Sequence, residues 1–325
     1  MARSTKQVKP KPKAIPKPER SASSAGFHFH SLYSCCQRKF YIRMGPPRLE
    51  PKLTATPLLA GSAFHAGKAI FYLTGSEKKA IDLVRSELRL RKADFESQDE
   101  YLSALDRTPS MLSSWIHEWG FSDLKNLNIL GVEQPIKVPF PGHSNWYFTM
   151  RLDMIAEDKF DNLLIYETKT SSWSIKSTLI SLQYGDQVTS YVWGAQRKYK
   201  RRVTACVPDI TFLSSNTKDA TRITNYRGDF IYREQADIDF FSRSMAQTSS
   251  EIAQKMKAVY SGHDPAIFSR NSYYCNAYNR PCEFAEICRQ ALDAKTKVPA
   301  GFKRRPGKFK LQELSEEVPD IIAGG

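Results

Sequence analysis

The sequence predicts an α/β fold with a mixed central β-sheet flanked by helices. Three observations carry that prediction. Residues 131–140, 147–158 and 163–170 read as strands, the last two joined by a polar turn at 158–162. Stretches of helical period lie before and after them, and two further strand-like runs follow at 203–214 and 222–233. No internal repeat is evident, and 41% hydrophobic with 25% charged residues over 325 positions excludes a fibrous or wholly disordered chain. Such a length holds one large domain or two modest ones.

In chain order, a helix starts near Leu58 and carries Gly61, Phe64 and His65. Ile81, Val84 and Leu88 keep a helical period through the charged segment 77–106. A new helix is expected at Thr108-Pro109, with the hydroxyl as cap and proline in the first turn, so that a helical insertion covers about residues 76–122. Beyond the three strands, 178–199 reads as one helix. Residues 235–259 read as a longer one, with Ile238, Phe241, Met245, Ile252 and Met256 inward. Residues 1–26 hold seven basic residues against Glu19 alone, with four prolines, and read as a solvated, disordered arm; 295–325 reads as a tail, basic and then acidic. The folded domain is thus expected over 27–294.

Lys plus Arg (48) exceed Asp plus Glu (34) by 14, which points to a polyanionic partner, nucleic acid first. Nine of those fourteen charges fall in the arm and tail, leaving a mildly basic body. No stretch approaches the roughly 18–20 apolar residues of a membrane span, and no secretory signal is visible, so a cytoplasmic location in a bacterial or phage-infected cell is expected. Six cysteines are too few for a disulfide scaffold, and their positions point to metal or redox chemistry.

The most informative segment is Met150-Arg151-Leu152-Asp153, followed after a turn by Leu163-Leu164-Ile165-Tyr166-Glu167-Thr168-Lys169. On a strand, Glu167 and Lys169 share a face. An isolated Glu-x-Lys is commonly an exposed ion pair. Antiparallel pairing with the preceding strand, however, would bring Asp153 toward Glu167, and two carboxylates forced together are relieved by a divalent cation. Mg²⁺ or Mn²⁺ suits an oxygen-rich site at phosphate, where Lys169 can orient water and offset charge. His65 is an acceptable further ligand or a half-buried helix residue. Gln187 and Tyr191, four apart on a helix, share one face.

Taken in order, Gly61-x₃-His65, Asp153, Glu167-x-Lys169 and Gln187-x₃-Tyr191 resemble the motif series of the RecB-like branch of the PD-(D/E)XK nuclease superfamily. The resemblance implies a restriction-endonuclease-like core and Mg²⁺ or Mn²⁺ held by His65, Asp153, Glu167 and the main-chain carbonyl of Thr168. It also implies Lys169 as the catalytic lysine, with Gln187 and Tyr191 lining the active site beside DNA.

Cys275, Cys282 and Cys288 form C-x₆-C-x₅-C, while Cys35 and Cys36 lie far upstream. Ser34-Cys35-Cys36-Gln37-Arg38-Lys39-Phe40-Tyr41 resembles the Cys-Pro-x-x-Phe opening of iron–sulfur members of the same branch, which include AddB-type and CRISPR-associated nucleases. This implies a [4Fe–4S] cluster on Cys36, Cys275, Cys282 and Cys288. Cys35 is the alternative fourth ligand, Gln37 stands where proline is usual, and the first two cysteines of the trio are further apart than in the familiar members. Four thiolates would also satisfy Zn²⁺. Either group would staple the two ends of the domain together. Cys206, in an apolar run, reads as a core residue.

Arg38, Lys39, Tyr41 and Arg43 can contact phosphates and stacked bases, or form a solvated helix face. The function expected is phosphodiester hydrolysis in DNA, as an exonuclease of recombination, repair or phage-linked processing. Without a G-x₄-G-K-[ST] motif, unwinding would come from a helicase or recombination partner. A non-cleaving nucleic-acid-binding or assembly protein on the same fold, and a zinc-stapled RNA-processing factor, are the other readings.

Overall fold

The computed structural model describes residues 26–141, 147–172, 174–214 and 222–305. Residues 1–25 of the expected arm and 306–325 of the expected tail lie outside the described residues. The chain opens with α1 (Phe27–Cys35), α2 (Gln37–Met44), β1 (Leu49–Pro51) and α3 (Thr56–Thr74). Next come α4 (Glu77–Leu90), α5 (Gln98–Trp115), a single π turn (Ile116–Gly120) and α6 (Phe121–Asn126). The central part is β2 (Asn128–Pro139), β3 (Tyr147–Glu157), β4 (Leu163–Ser171), α7 (Ile175–Tyr184), α8 (Asp186–Tyr199), β5 (Ala205–Ser214) and β6 (Arg222–Arg227). It closes with α9 (Gln235–Tyr260) and β7 (Phe302–Arg304).

The expected mixed sheet is present: five strands in the order β2-β3-β4-β5-β6, with β4 and β5 parallel and the other pairs antiparallel. The parallel pair requires a crossover, which α7 and α8 supply. Alternate residues of β4 serve two cores. Leu164 and Tyr166 pack with Phe64, Val84, Leu112 and Trp115 of the helices on one face; Leu163 and Ile165 pack with Val192, Trp193, Ile238 and Phe241 on the other. A third apolar cluster joins Phe29, Phe40 and Tyr41 to Phe268, Phe284 and Leu292. It binds the beginning of the described chain to its end.

Four local expectations are corrected. Thr108-Pro109 does not start a helix: α5 begins ten residues earlier, where Ser97 accepts the Glu100 N–H at 3.1 Å, and Pro109 sits inside it. Burial of Tyr101, Ala104, Met111, Leu112 and Trp115 along one side outweighs the hydrogen bond that proline forgoes. The single helix over 178–199 is two, because the chain turns extended at Gly185, where a Cβ would meet the Ser181 carbonyl at 2.4 Å. The strand expected over 222–233 ends at Arg227, with Ile231 making only an isolated bridge to Cys206. The segment after 295 is not all tail. Phe302–Arg304 pairs antiparallel with Leu49–Pro51, and Phe302 stacks on Phe284 at 5.8 Å, which gives this basic stretch an apolar anchor. Cys206 is fully buried in the core, as expected.

Candidate metal centre

α3 delivers His65. Pro57 starts this helix and Gly75, at φ +66°, ends it. It can lie close over β4 because Gly61 has no side chain: a Cβ there would sit 3.3 Å from Thr170 Oγ1. β2 and β3 deliver the acids at a kink. Phe148, Met150 and Leu152 pack toward α8 and α9, whereas Met154 and Ala156 pack toward α3–α5, so the alternation of β3 changes phase at Asp153. β2 changes in the same way between Val132 and Ile136, around Glu133, whose φ is +46°. A non-glycine residue in that region marks local strain. The two carboxylates at the phase change are committed to neither core.

His65 Nδ1 lies 3.2 Å from Asp153 Oδ1 and 3.3 Å from Glu133 Oε1. Among the described residues, His65, Glu133 and Asp153 are the trio whose candidate ligand atoms all fall within 4.8 Å of one another. Burial pulls the imidazole down, but Asp153 and then Glu133 outweigh it and push the His65 pKa up to about 10. For Asp153, burial is opposed by His65, Lys169 and the Thr168 N–H, which donates to Oδ2 at 2.8 Å; the carboxyl ends below its ordinary value. Arg151 Nε contacts Glu133 Oε2 at 2.8 Å.

On the α8 side of β4, Glu167 Oε1 accepts from Lys169 Nζ at 2.6 Å and from Gln187 Nε2 at 2.9 Å. Gln187 Oε1 accepts from Lys169 at 3.2 Å, and its Nε2 also reaches Tyr191 Oη at 3.0 Å. Glu167 is 1% exposed, and its Oε2 is buried with no hydrogen-bond partner. Burial, with Asp153 nearby, pushes its pKa up to about 7. Lys169 is raised in turn, because Glu167 and Asp153 outweigh its burial. Two acids and an imidazole this close together are a donor set for a hard divalent cation, and Glu167 brings an orphaned carboxylate oxygen near Asp153. His65, Glu133 and Asp153 are the side chains close enough to one another to fit one, with Glu167 outside that trio.

The chain thus brings His65, Asp153, Glu167, Thr168, Lys169, Gln187 and Tyr191 into one neighbourhood. Residues 30–289 match the PD-(D/E)XK nuclease superfamily. The chain belongs to the PD-(D/E)XK nuclease superfamily. Nucleases of this superfamily generally use divalent metals. Nothing among curated proteins matches the chain. Among solved structures, a provisionally named exonuclease from Eubacterium rectale shares 10% identity over 73% of this chain and 81% of its own, with TM-score 0.40. The protein SSO0001 shares 15% identity over 75% of this chain and 88% of its own, with TM-score 0.31.

Glu133, which stands beside His65 and Asp153, is the residue of the close trio that sequence reading missed. The signal available was an acid within the apolar run 131–140, with no motif attached. Two of the candidate DNA contacts are corrected. Arg38 is buried and donates to the main-chain carbonyls of Cys288 at 3.0 Å and Gln290 at 2.6 Å. Tyr41 is fully buried and its hydroxyl donates to the Leu292 carbonyl at 2.8 Å. Both face inward because they join α2 to the 268–292 segment. Lys39 and Arg43 lie at the surface, where Glu283 faces them at 2.8 and 3.9 Å.

No disulfide joins any of the six cysteines, all of which are among the described residues. Cys36 sits in the extended break between α1 and α2, and the Cys282 N–H donates to the Cys275 carbonyl at 2.8 Å. Burial raises the Cys288 thiol, as do Cys36 and Cys275; Cys282 is likewise raised by burial, with Cys36 contributing. Cys35 borders a surface concavity with Ser34, Arg270 and Tyr273.

Proposed function

We propose that this chain is an Mg²⁺- or Mn²⁺-dependent deoxyribonuclease acting on DNA ends. The observation that carries the reading is the close trio of His65, Glu133 and Asp153, with the unpartnered Oε2 of buried Glu167 near Asp153 and the Lys169 ammonium on its other oxygen. His65, Asp153, Glu167 and the Thr168 carbonyl would hold the cation, with Glu133 as a further ligand. When bound, the cation supplies Lewis acidity at the scissile phosphodiester and lowers the pKa of the attacking water. Lys169, kept protonated by its carboxylate neighbours, presents N–H donors to the incoming water and to the charge that develops on phosphate. Gln187 fixes the lysine and Glu167 relative to each other through both ends of its amide. Tyr191 holds that amide from behind.

Cys36, Cys275, Cys282 and Cys288 would carry a [4Fe–4S] cluster. Cys36 lies near enough to Cys282 and Cys288 to raise both thiols, which favours it as the fourth ligand. One zinc ion would need its thiolates within about 3.8 Å of one another, given bonds near 2.3 Å. Iron content and visible absorbance of the anaerobically purified protein would tell the iron–sulfur core from zinc. Lys39 and Arg43 would meet DNA phosphates at the surface, and any strand separation would fall to a helicase or recombination partner.

The test is digestion of end-labelled linear and circular DNA, single- and double-stranded, with Mn²⁺ and with EDTA. Loss of linear substrate only, abolished by EDTA and in Glu167→Ala, is expected. Normal cutting by Glu167→Ala would overturn the site, and DNA binding without cutting by the wild type would favour the assembly-protein reading.

A further inference from the structure

Lys68 lies one helical turn beyond His65 on α3 and is 5% exposed. Its Nζ donates to Thr168 Oγ1 at 2.7 Å and to Asp209 Oδ2 at 2.5 Å, and rests 4.1 Å from the centroid of the Trp115 ring. Asp209 also accepts from Trp115 Nε1 at 3.0 Å and from Arg227 Nη2 at 2.9 Å. Arg227 grips Asp123 of α6 through two nitrogens, at 2.7 and 2.8 Å, and the Tyr72 hydroxyl donates to the same carboxylate at 2.6 Å. Two cations and two anions therefore balance inside the protein. A buried ionic network of this kind seldom adds stability over apolar packing of the same volume, so it needs another reason to be there.

The reason lies where the network meets the site. Lys68 touches Thr168 by its side chain, and Thr168 donates its main-chain N–H to Asp153 Oδ2. Asp209 stands opposite Thr168 in the parallel register of β4 and β5, so the lysine bridges two adjacent strands at the level of the site.

We propose that Lys68 is a positioning residue for the metal centre: anchored by Asp209 and Trp115, it fixes Thr168, and through Thr168 the carboxylate of Asp153. The inference rests on the metal-centre reading above. The far end of the network is built from α5 and α6, so the helical insertion acts as a buttress for the site. α3 then has two duties, delivering a ligand at His65 and a brace one turn later. The coupling is local and mechanical, through hydrogen bonds that hold side chains within the small tolerance a metal site demands.

Calorimetric titration of Mn²⁺ into the full-length wild type, Lys68→Met and Thr168→Val, with melting curves for each, tests this. Both variants should bind Mn²⁺ about 10–100-fold more weakly while melting well above the titration temperature. Thr168→Val removes only the Oγ1 acceptor and leaves Lys68, Asp209 and Arg227 paired, so it decides the matter if Lys68→Met fails to fold. Wild-type affinity in Thr168→Val would overturn the positioning role. Absence of Mn²⁺ binding by the wild type would instead overturn the metal-centre reading on which it rests.

Discussion

Lys169 holds its ammonium 2.6 Å from Glu167 Oε1, an ion pair made between residues two apart on one strand. The pair leaves the other oxygen of Glu167 buried and unpartnered, which is costly unless a cation completes it. A cation at that oxygen would share one carboxylate with the lysine, and the two can be separated by mutation. Lys169→Met should lower the rate of DNA hydrolysis by about 10²–10⁴-fold. Mn²⁺ binding, read by calorimetry, should stay within a few-fold of the wild type. Equal loss of both would show that Lys169 acts on the fold of the site and not on the reaction.

Glu133 stands beside His65 and Asp153 on a strand that carries no motif. Glu133→Gln keeps the size of the side chain and removes its charge, and should weaken Mn²⁺ binding by about 10–100-fold. An unchanged dissociation constant would take Glu133 out of the ligand set.

Why Glu133 escaped notice, while Asp153 and Glu167 did not, has a physical cause. Strand reading assumes one alternation from end to end, and β2 and β3 both change phase, at Glu133 and Asp153. Asp153 was legible because the Glu-x-Lys downstream drew attention to it. The five sheet strands were legible as elements because apolar runs of the right length carry their own signal. The break at Gly185 was not, since no proline marks it and apolar residues that become buried, Leu182 and Val188, stand on both sides of it. Nor was the inward turn of Arg38 and Tyr41. Their partners are main-chain carbonyls at 288, 290 and 292, and carbonyls have no signature in a sequence.

Arg38 therefore offers a clean contrast with its neighbours. Arg38→Ala strands two carbonyls and should cost about 2–3 kcal/mol in urea unfolding, with little change in the salt dependence of DNA binding. Lys39→Ala and Arg43→Ala should do the opposite, leaving stability within about 0.5 kcal/mol and reducing the salt slope.

The pH dependence of stability should contain a term from His30. This ring is 1% exposed; Nδ1–H donates to the Gly26 carbonyl at 3.0 Å, so Nε2 accepts from Ser249 Oγ at 2.7 Å and the ring is neutral. Burial lowers its pKa from 6.5 to about 4. The unfolded chain takes up a proton below pH 6.5 that the native protein refuses until about 4. Stability from this group is complete above pH 6.5 and falls as pH drops toward 4, by about 3 kcal/mol in all. Urea titrations from pH 7 to 4 should show this loss in the wild type and a shallower one in His30→Gln; parallel curves would refute it.

The cysteines divide into groups with opposite expectations. Cys36→Ala and Cys288→Ala should lose iron and broad visible absorbance from anaerobically purified protein, and should melt at a lower temperature. Cys35→Ala and Cys206→Ala should keep the iron. Retention of iron and melting temperature in Cys288→Ala would dismiss the staple.

The pairing of Leu49–Pro51 with Phe302–Arg304 has a consequence for synthesis on the ribosome. Every candidate ligand and catalytic side chain, from His65 to Tyr191, has been translated before the partner of β1 exists. A nascent chain halted near residue 260 would hold the whole sheet and the acids of the site, yet leave Phe40 and Tyr41 uncovered. β7 is the last strand among the described residues and the one that shuts the domain, so a chain cut short before it would display the candidate site without the clasp that secures it.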